Sequence, residues 1–245
     1  MTHHTTRFTA LLVLVTAIAT PAAAQRGSRG RGGAANTDGG ANGLGALHFR
    51  FVGPEGNRVA SITGVPGDPY IVYIGAADGG IWKTTDNGIN WAPIFDDKDV
   101  TAIGALAVAP SEHNTVWAGT GEPWLIRPYY TLGDGVYKST DAGQSWERIA
   151  QSLPDQMISA MLLDRASKDV LYVASRNGIH KSGDGGATWK AMNEGLATLN
   201  IRSLAQSPTD PQIFYVGTNG SGLYRSQDAG GKWEPLSSVR SADGG

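Results

Sequence analysis

Residues 84–91 hold the turn that decides the fold: Thr84-Thr85-Asp86-Asn87-Gly88-Ile89-Asn90-Trp91. The same pattern, Ser/Thr-x-Asp-x-Gly-x-x-Trp, recurs at residues 139–146, 182–189 and 226–233. The short acidic side chain can accept hydrogen bonds from backbone N–H groups ahead of it, and the glycine two positions later tolerates a positive φ. The tryptophan then starts a returning strand and can bury a large ring. The pattern therefore predicts four tight turns between antiparallel strands.

Each turn closes a longer unit that has three strand signals before it. In the first unit these signals lie at residues 59–62, 71–74 and 81–84, and the fourth strand is predicted to start at Trp91. One aromatic residue in each unit falls fourteen positions after the first strand begins; these residues are Tyr73, Trp117, Tyr172 and Tyr215. Four antiparallel strands in about 40 residues are typical of a propeller blade. The sequence therefore predicts an all-β fold, a β-propeller of four four-stranded blades over residues 46–240.

The repeated turn resembles the Asp-box of sialidase-type and sortilin-type β-propellers, and the resemblance covers roughly residues 46–236. The chain is similar to bacterial secreted Asp-box proteins with sortilin-like N-terminal propellers, and to xyloglucan-degrading glycoside hydrolases. The resemblance implies a structural role for the aspartate and tryptophan of each box, which are Asp86, Trp91, Asp141, Trp146, Asp184, Trp189, Asp228 and Trp233. It also implies six or more blades in a closed ring, so four blades indicate an incomplete ring. A longer parent chain, a second copy that completes the ring, and closure by four blades alone are all consistent with this count.

The N-terminal residues have the pattern of a secretory signal peptide over residues 1–24. Arg7 precedes an apolar run at residues 8–19, and small residues before Gln25 predict cleavage after Ala24. A run of about twelve apolar residues is too short to span a bilayer. Residues 25–45 are rich in glycine and arginine and predict a flexible linker, and residues 241–245 form a polar tail. The mature protein is therefore expected to be secreted or periplasmic, with no membrane span after signal cleavage.

Composition excludes several kinds of site. The chain has no cysteine, which excludes disulfides and thiolate ligands. It holds 20 Lys and Arg against 22 Asp and Glu; four of the basic residues and one of the acidic residues precede residue 46, so the remainder carries −5. A mildly acidic body argues against nucleic-acid binding. No His or carboxylate cluster has metal-ligand spacing, and no glycine pattern forms a phosphate-binding loop. The sequence thus predicts neither a metal nor a cofactor.

One loop breaks the regularity of the repeat. The connection between the second and third strands of a blade is short in blades one, three and four, but in blade two it extends from Thr120 to Gly135. A long loop on a scaffold of short ones is a common place for function. We predict that a glycan or peptide binds here, through Trp124, Arg127, Tyr129 and Tyr130, with Arg176 and Asn219 contributing from the short loops of the same face. The alternative is that the loop packs over its own propeller.

Enzymatic alternatives depend on carboxylates of the same face. A glycoside hydrolase usually needs two carboxylates across the scissile bond, and Asp78, Glu122 and Asp134 are the candidates. Similar xyloglucan-degrading enzymes place two aspartates across a cleft between two propellers, and this chain supplies at most part of one. Sialidase chemistry needs an arginine triad that the sequence does not reveal. A binding module that is not catalytic alone is therefore the first hypothesis, a divergent hydrolase is the second, and an assembly scaffold similar to photosystem assembly factors is the third.

Overall fold

The computed structural model describes residues 58–123, 132–149, 153, 157–164 and 167–236. The predicted signal peptide, linker and C-terminal tail lie outside these ranges. The described residues contain sixteen β-strands and no α-helix. The strands of blades one and two are Val59–Val65 (β1), Asp68–Ala76 (β2), Ile81–Thr84 (β3), Ala92–Pro93 (β4), Ile103–Val108 (β5), Val116–Thr120 (β6), Val136–Ser139 (β7) and Glu147–Ile149 (β8). Those of blades three and four are Ile158–Leu163 (β9), Leu171–Ser175 (β10), Gly178–Ser182 (β11), Lys190–Ala191 (β12), Ile201–Gln206 (β13), Phe214–Thr218 (β14), Leu223–Ser226 (β15) and Glu234–Pro235 (β16).

Each blade is one antiparallel sheet whose strands follow the chain order, as the sequence predicts. The first strands of successive blades pack against one another, β1 on β5, β5 on β9 and β9 on β13, so they form the inner edge of the propeller. The short fourth strands form the outer edge, and three of them, β4, β12 and β16, have only two residues each. The fold is thus four blades of an incomplete β-propeller.

Three hydrophobic cores lie between neighbouring blades rather than within them. The core between blades one and two buries Tyr73, Phe95 and Trp146. Phe95 from blade one meets Tyr137 and Trp146 of blade two edge to face, with ring centroids 5.1 and 5.4 Å apart. Corresponding cores join blades two and three and blades three and four. Because most of the buried apolar surface lies between blades, each blade depends on its neighbours for stability.

The four box turns share one hydrogen-bond network. In blade two the Ser139 hydroxyl donates to Asp141 Oδ1 at 2.7 Å and accepts the N–H of Gly143 at 2.8 Å. The same Asp141 oxygen accepts the N–H of Ser145 at 2.9 Å. The other three boxes repeat these bonds with Thr84 and Asp86, Ser182 and Asp184, and Ser226 and Asp228. Each aspartate therefore stabilises its own turn through local hydrogen bonds.

The predicted start of the fourth strand is one residue early. The strands begin at Ala92, Glu147, Lys190 and Glu234, directly after each box tryptophan. Three of the indoles donate hydrogen bonds outside the strand ladder: Trp146 Nε1 to the Ile94 carbonyl of blade one at 2.8 Å, Trp233 Nε1 to the Met192 carbonyl of blade three at 2.8 Å, and Trp189 Nε1 to the Gly186 carbonyl of its own box at 3.0 Å. Two of these rings thus bond to the preceding blade and one to its own turn.

Candidate ligand-binding face

Antiparallel order places the connections between second and third strands at one end of the sheets and the box turns at the other. The β2–β3, β6–β7, β10–β11 and β14–β15 connections therefore share a face, which we call the loop face. Residues 58 and 202 also lie at this end, because β1 and β13 start beside the ends of β2 and β14. The candidate site residues belong to the connections that share this face.

The two ends of the β6–β7 connection, residues 121–135, are fastened together by Thr120. The buried Thr120 hydroxyl donates to the Gly135 carbonyl at 2.8 Å and accepts the N–H groups of Asp134 and Gly135 at 2.8 and 3.0 Å. The Gly121 N–H donates to the Ala102 carbonyl at 2.8 Å. The two described ends of this connection are therefore held next to each other.

Two arginines from other blades hold the first residues of the insertion. Glu122 is buried, with 6% of its surface exposed, and forms an ion pair with Arg58, the residue before β1. The carbonyl of the next residue, Pro123, accepts a hydrogen bond from Arg202 in β13. A buried carboxylate is stable when a cation and hydrogen bonds compensate its charge. Glu122 thus ties blade one to blade two, and Arg202 ties blade four to the same segment.

Asp134 is also engaged in contacts with the protein. It accepts the Tyr137 hydroxyl at 2.7 Å, and Arg148 lies 3.5 Å from its carboxylate and donates to its backbone carbonyl. Burial and the Asp134 contact raise the pKa of Tyr137 well above its ordinary value. Tyr137 therefore remains a protonated donor that keeps the Asp134 carboxylate in place.

The other predicted residues of the loop face lie on separate turns. Asp78 is exposed and accepts the Thr101 hydroxyl, while Arg176 is half-buried, with Nη1 3.3 Å from Met157 Sδ. Asn219 is exposed, and its backbone N–H donates to the Asn200 carbonyl at 2.8 Å. The structure places these three residues at the predicted end of the sheets, each in the connection of a different blade.

The remaining predicted ligand-binding residues, Trp124, Arg127, Tyr129 and Tyr130, lie outside the described residues. The structure adds two residues that sequence reasoning missed, Arg58 and Arg202. Arg202 had a detectable signal, because the corresponding position holds Ala60, Gly104 and Ser159 in the other blades. Space there is scarce: an added Cβ at Gly104 would lie 2.0 Å from the Ile158 carbonyl oxygen. An arginine where the other blades have small residues therefore indicates a contact that is specific to blade four.

No group of three or more His, Cys, Asp or Glu side chains among the residues that the structure describes is placed to hold a metal ion. The same residues include no helix long and apolar enough to cross a bilayer.

Comparison with known proteins extends the structural result. No family model matches the sequence, and no curated protein matches it. Among solved structures, an ancestral GH74 enzyme is similar, with a TM-score of 0.60 and 20% identity over 77% of this chain and 26% of that one. The GH74 xyloglucanase from Xanthomonas campestris gives a TM-score of 0.59 and 20% identity over 76% of this chain and 31% of the enzyme.

A third similar structure is YCF48 bound to D1 peptide, with a TM-score of 0.52 and 18% identity over 72% of this chain and 54% of that one. The chain thus spans between about a quarter and about half of the length of these proteins. At such identities the likeness concerns the fold alone, and it places the four sheets among β-propellers.

Proposed function

We propose that this chain is a secreted propeller module that binds a glycan or peptide through its loop face, without catalysis of its own. The observation that carries the proposal is the engagement of Glu122, which is buried and paired with Arg58. A general acid or base must reach the proton that it transfers. A carboxylate enclosed at the base of a loop serves better to hold that loop in place.

The other two candidate carboxylates support the same interpretation. Asp134 accepts the Tyr137 hydroxyl, and Asp78 accepts the Thr101 hydroxyl of the same face. Hydrolysis of a glycosidic bond needs two carboxylates on either side of one bond. In this chain Asp78 lies in one connection and Glu122 and Asp134 at the two ends of another, and each of the three has a partner within the protein.

The chemistry of the insertion favours recognition. Trp124, Tyr129 and Tyr130 are aromatic side chains that can stack on sugar rings or on apolar peptide side chains, and Arg127 can pair with a carboxylate or hydroxyl. Thr120, Arg58 and Arg202 hold the described ends of the connection that contains these residues. Holding these ends lowers the entropy lost when the loop contacts a ligand.

The test uses the mature chain in binding and turnover assays on the same compounds. Xyloglucan oligosaccharides are the first glycan probes, because a xyloglucanase is among the similar structures, and a panel of soluble peptides is the second. Calorimetry should give saturable binding that Trp124→Ala abolishes, whereas Leu132→Ala, at an exposed residue of the same insertion, should retain it. Product release that Glu122→Gln or Asp78→Asn eliminates would reject the non-catalytic proposal.

Export is a separate part of the proposal. The predicted cleavage site requires that the exported protein begin at Gln25. N-terminal sequencing of protein recovered from the periplasm or medium should give this residue. An intact N-terminus on cytoplasmic protein would contradict the secreted location and leave the binding proposal to its own assay.

A further inference from the structure

A second feature concerns the flanks of the propeller rather than its loop face. An aromatic side chain in the second strand of one blade packs on the box turn of the next. The Tyr73 hydroxyl donates to the Ala142 carbonyl at 3.2 Å, and the Tyr172 hydroxyl to the Ala229 carbonyl at 3.2 Å. At the intervening junction the Trp117 ring lies 3.3 Å from where a Cβ on Gly186 would be. Every junction in the described chain is thus built from one aromatic residue and one box.

A cation from the third strand strengthens each of these junctions. Lys83 is the cross-strand partner of Tyr73, stacks on its ring at 5.3 Å, and donates to the same Ala142 carbonyl at 2.9 Å. Lys138 and Lys181 stack in the same way on Trp117 and Tyr172, at 4.8 and 5.0 Å. Asp141 of the next box counteracts the effect of burial, which lowers the pKa of Lys83. The first junction therefore also pairs a cation with the acidic box that follows.

An aliphatic contact nearer the axis completes the junction. Ile103 of blade two lies against Gly75 of blade one, where an added Cβ would be 2.4 Å from its Cγ2 atom. Ile158 of blade three lies against Gly119 of blade two at the same 2.4 Å. At these two junctions the isoleucine of one blade thus fills the space that glycine leaves in the blade before it.

The outer flanks of blades one and four each carry one side of this contact, and its side chains are exposed there. On blade one, Val59 is 51% exposed, whereas its counterparts Ile103, Ile158 and Ile201 are 0% exposed. On blade four, Tyr215 is 40% exposed, whereas Tyr73 and Trp117 are 0% exposed. The three atoms nearest to an added Cβ at Gly217 belong to Ser203 and Leu223 of its own blade. Blade four therefore presents the aromatic and glycine side of a junction, and blade one presents the aliphatic and box side.

The box turn of blade one and the third strand of blade four also match the corresponding parts of an internal junction. Asn87 has a φ of 59°, the same left-handed conformation as Ala142 at 59° and Ala229 at 56°, whose carbonyls accept the tyrosine hydroxyls. Arg225 is the cross-strand partner of Tyr215, in the position of Lys83. An arginine on one flank and the Asp86 carboxylate on the other are complementary in charge.

We propose that the open flank of blade four binds the open flank of blade one in a second copy of this chain. The box pattern occurs four times in the sequence, and all four copies lie in the described blades. Blade one carries the exposed aliphatic side chain, the box turn and the carboxylate that match the open flank of blade four, so a second copy of the chain offers the complement of each open flank. Two such head-to-tail contacts related by a two-fold axis close a ring of eight blades.

Cysteine crosslinking tests the contact directly, because the natural chain has no cysteine. An added Cβ at Gly75 lies 2.9 Å from Ile103 Cβ, and one at Gly119 lies 2.8 Å from Ile158 Cβ. These separations are within about 1 Å of the usual disulfide Cβ–Cβ distance of about 3.8 Å. A Val59→Cys protein mixed with a Gly217→Cys protein should form a disulfide-linked pair on mild oxidation. Gly217→Cys is combined with Ser203→Ala, since Ser203 Oγ would lie 2.5 Å from the new Cβ.

The controls separate this geometry from random collision. Val59→Cys alone and Gly217→Cys alone should remain uncrosslinked, and Leu132→Cys, at an exposed residue of blade two, should not replace Val59→Cys. Light scattering on the unmodified mature chain should give the mass of two copies. Tyr215→Glu should weaken the pair by about tenfold or more, whereas Leu132→Glu should not change it. A monomer at every concentration, or a Val59→Cys pair formed without Gly217→Cys, would overturn the proposal.

Discussion

Gly119 shows how tightly a single residue is constrained where two blades meet. An added Cβ would lie 2.4 Å from Ile158 Cγ2 and 3.0 Å from Met161 Sδ. Since Ile158 is itself fully buried, it has little room to move. Gly119→Val should therefore lower the free energy of unfolding by about 1–3 kcal/mol, measured by urea denaturation. Gly183→Ala is the matched control, because no heavy atom lies within 4 Å of its added Cβ, and an equal loss in both variants would refute the steric argument.

For single residues, the sequence predicts which group accepts a hydrogen bond better than it predicts which part of the fold the residue contacts. The aspartate as an acceptor for its own turn follows from the residue pattern, since the bonds are local. The tryptophan of the same turn behaves differently: Trp146 donates to Ile94, and the two are 52 residues apart. The residue pattern predicts the strand that follows the tryptophan, but it does not contain this bond to the preceding blade.

The β6–β7 connection is the element where stability and the candidate site meet. Arg58 and Glu122 are a charge pair of unequal burial, with side-chain exposures of 34% and 8%. Removing the cation leaves a buried carboxylate, whereas removing the carboxylate leaves an arginine that can reach water. Arg58→Met should therefore cost about 3–5 kcal/mol of unfolding free energy, and Glu122→Gln clearly less. Chemical denaturation of both variants measures this difference, and a larger loss for Glu122→Gln would contradict the asymmetry.

The length and face of this element follow from the spacing of the boxes, but its anchors do not. Asp86 and Asp141 are further apart than the other pairs, and strand alternation then assigns the extra residues to the face opposite the boxes. The partner of Glu122 is 64 residues earlier in the chain and precedes the first repeat, so no periodic pattern includes it. Contacts between blades depend on the curvature of the propeller, which a one-dimensional pattern does not contain.

For the whole molecule, the repeated boxes predict a common response to acid. Hydrogen bonds lower the pKa of Asp86, Asp141 and Asp184 from 3.8 to about 2. The largest contributions come from the Asn90 backbone N–H for Asp86 and from the hydroxyls of Ser145 and Thr188 for the other two. Because the folded state binds these protons less readily than the unfolded state, the stabilisation is complete above the unfolded pKa and disappears as pH falls toward the folded pKa. Thermal unfolding temperatures should therefore decrease between pH 4 and 2.

Replacement of one box aspartate isolates its share of this response. Asp86→Asn should make the decrease between pH 4 and 2 less steep, because one fewer proton separates the two states. Glu147→Gln, on the outer strand β8, is the control for the loss of one negative charge. Calorimetric scans at several pH values provide the comparison, and an unchanged slope in Asp86→Asn would contradict the role assigned to its hydrogen bonds.

Because the hydrophobic cores lie between blades, the blades should differ in how readily they unfold locally. Blades two and three are covered on both sides, whereas blades one and four each have a flank with exposed apolar side chains such as Val59 and Tyr215. In a linear array with nearest-neighbour coupling, the terminal units open first. Amides of β1 and β14 should therefore exchange with deuterium sooner than those of β5 and β10 in dilute protein. If two chains share a ring, the array has no ends, and this gradient of exchange should flatten as the protein concentration rises.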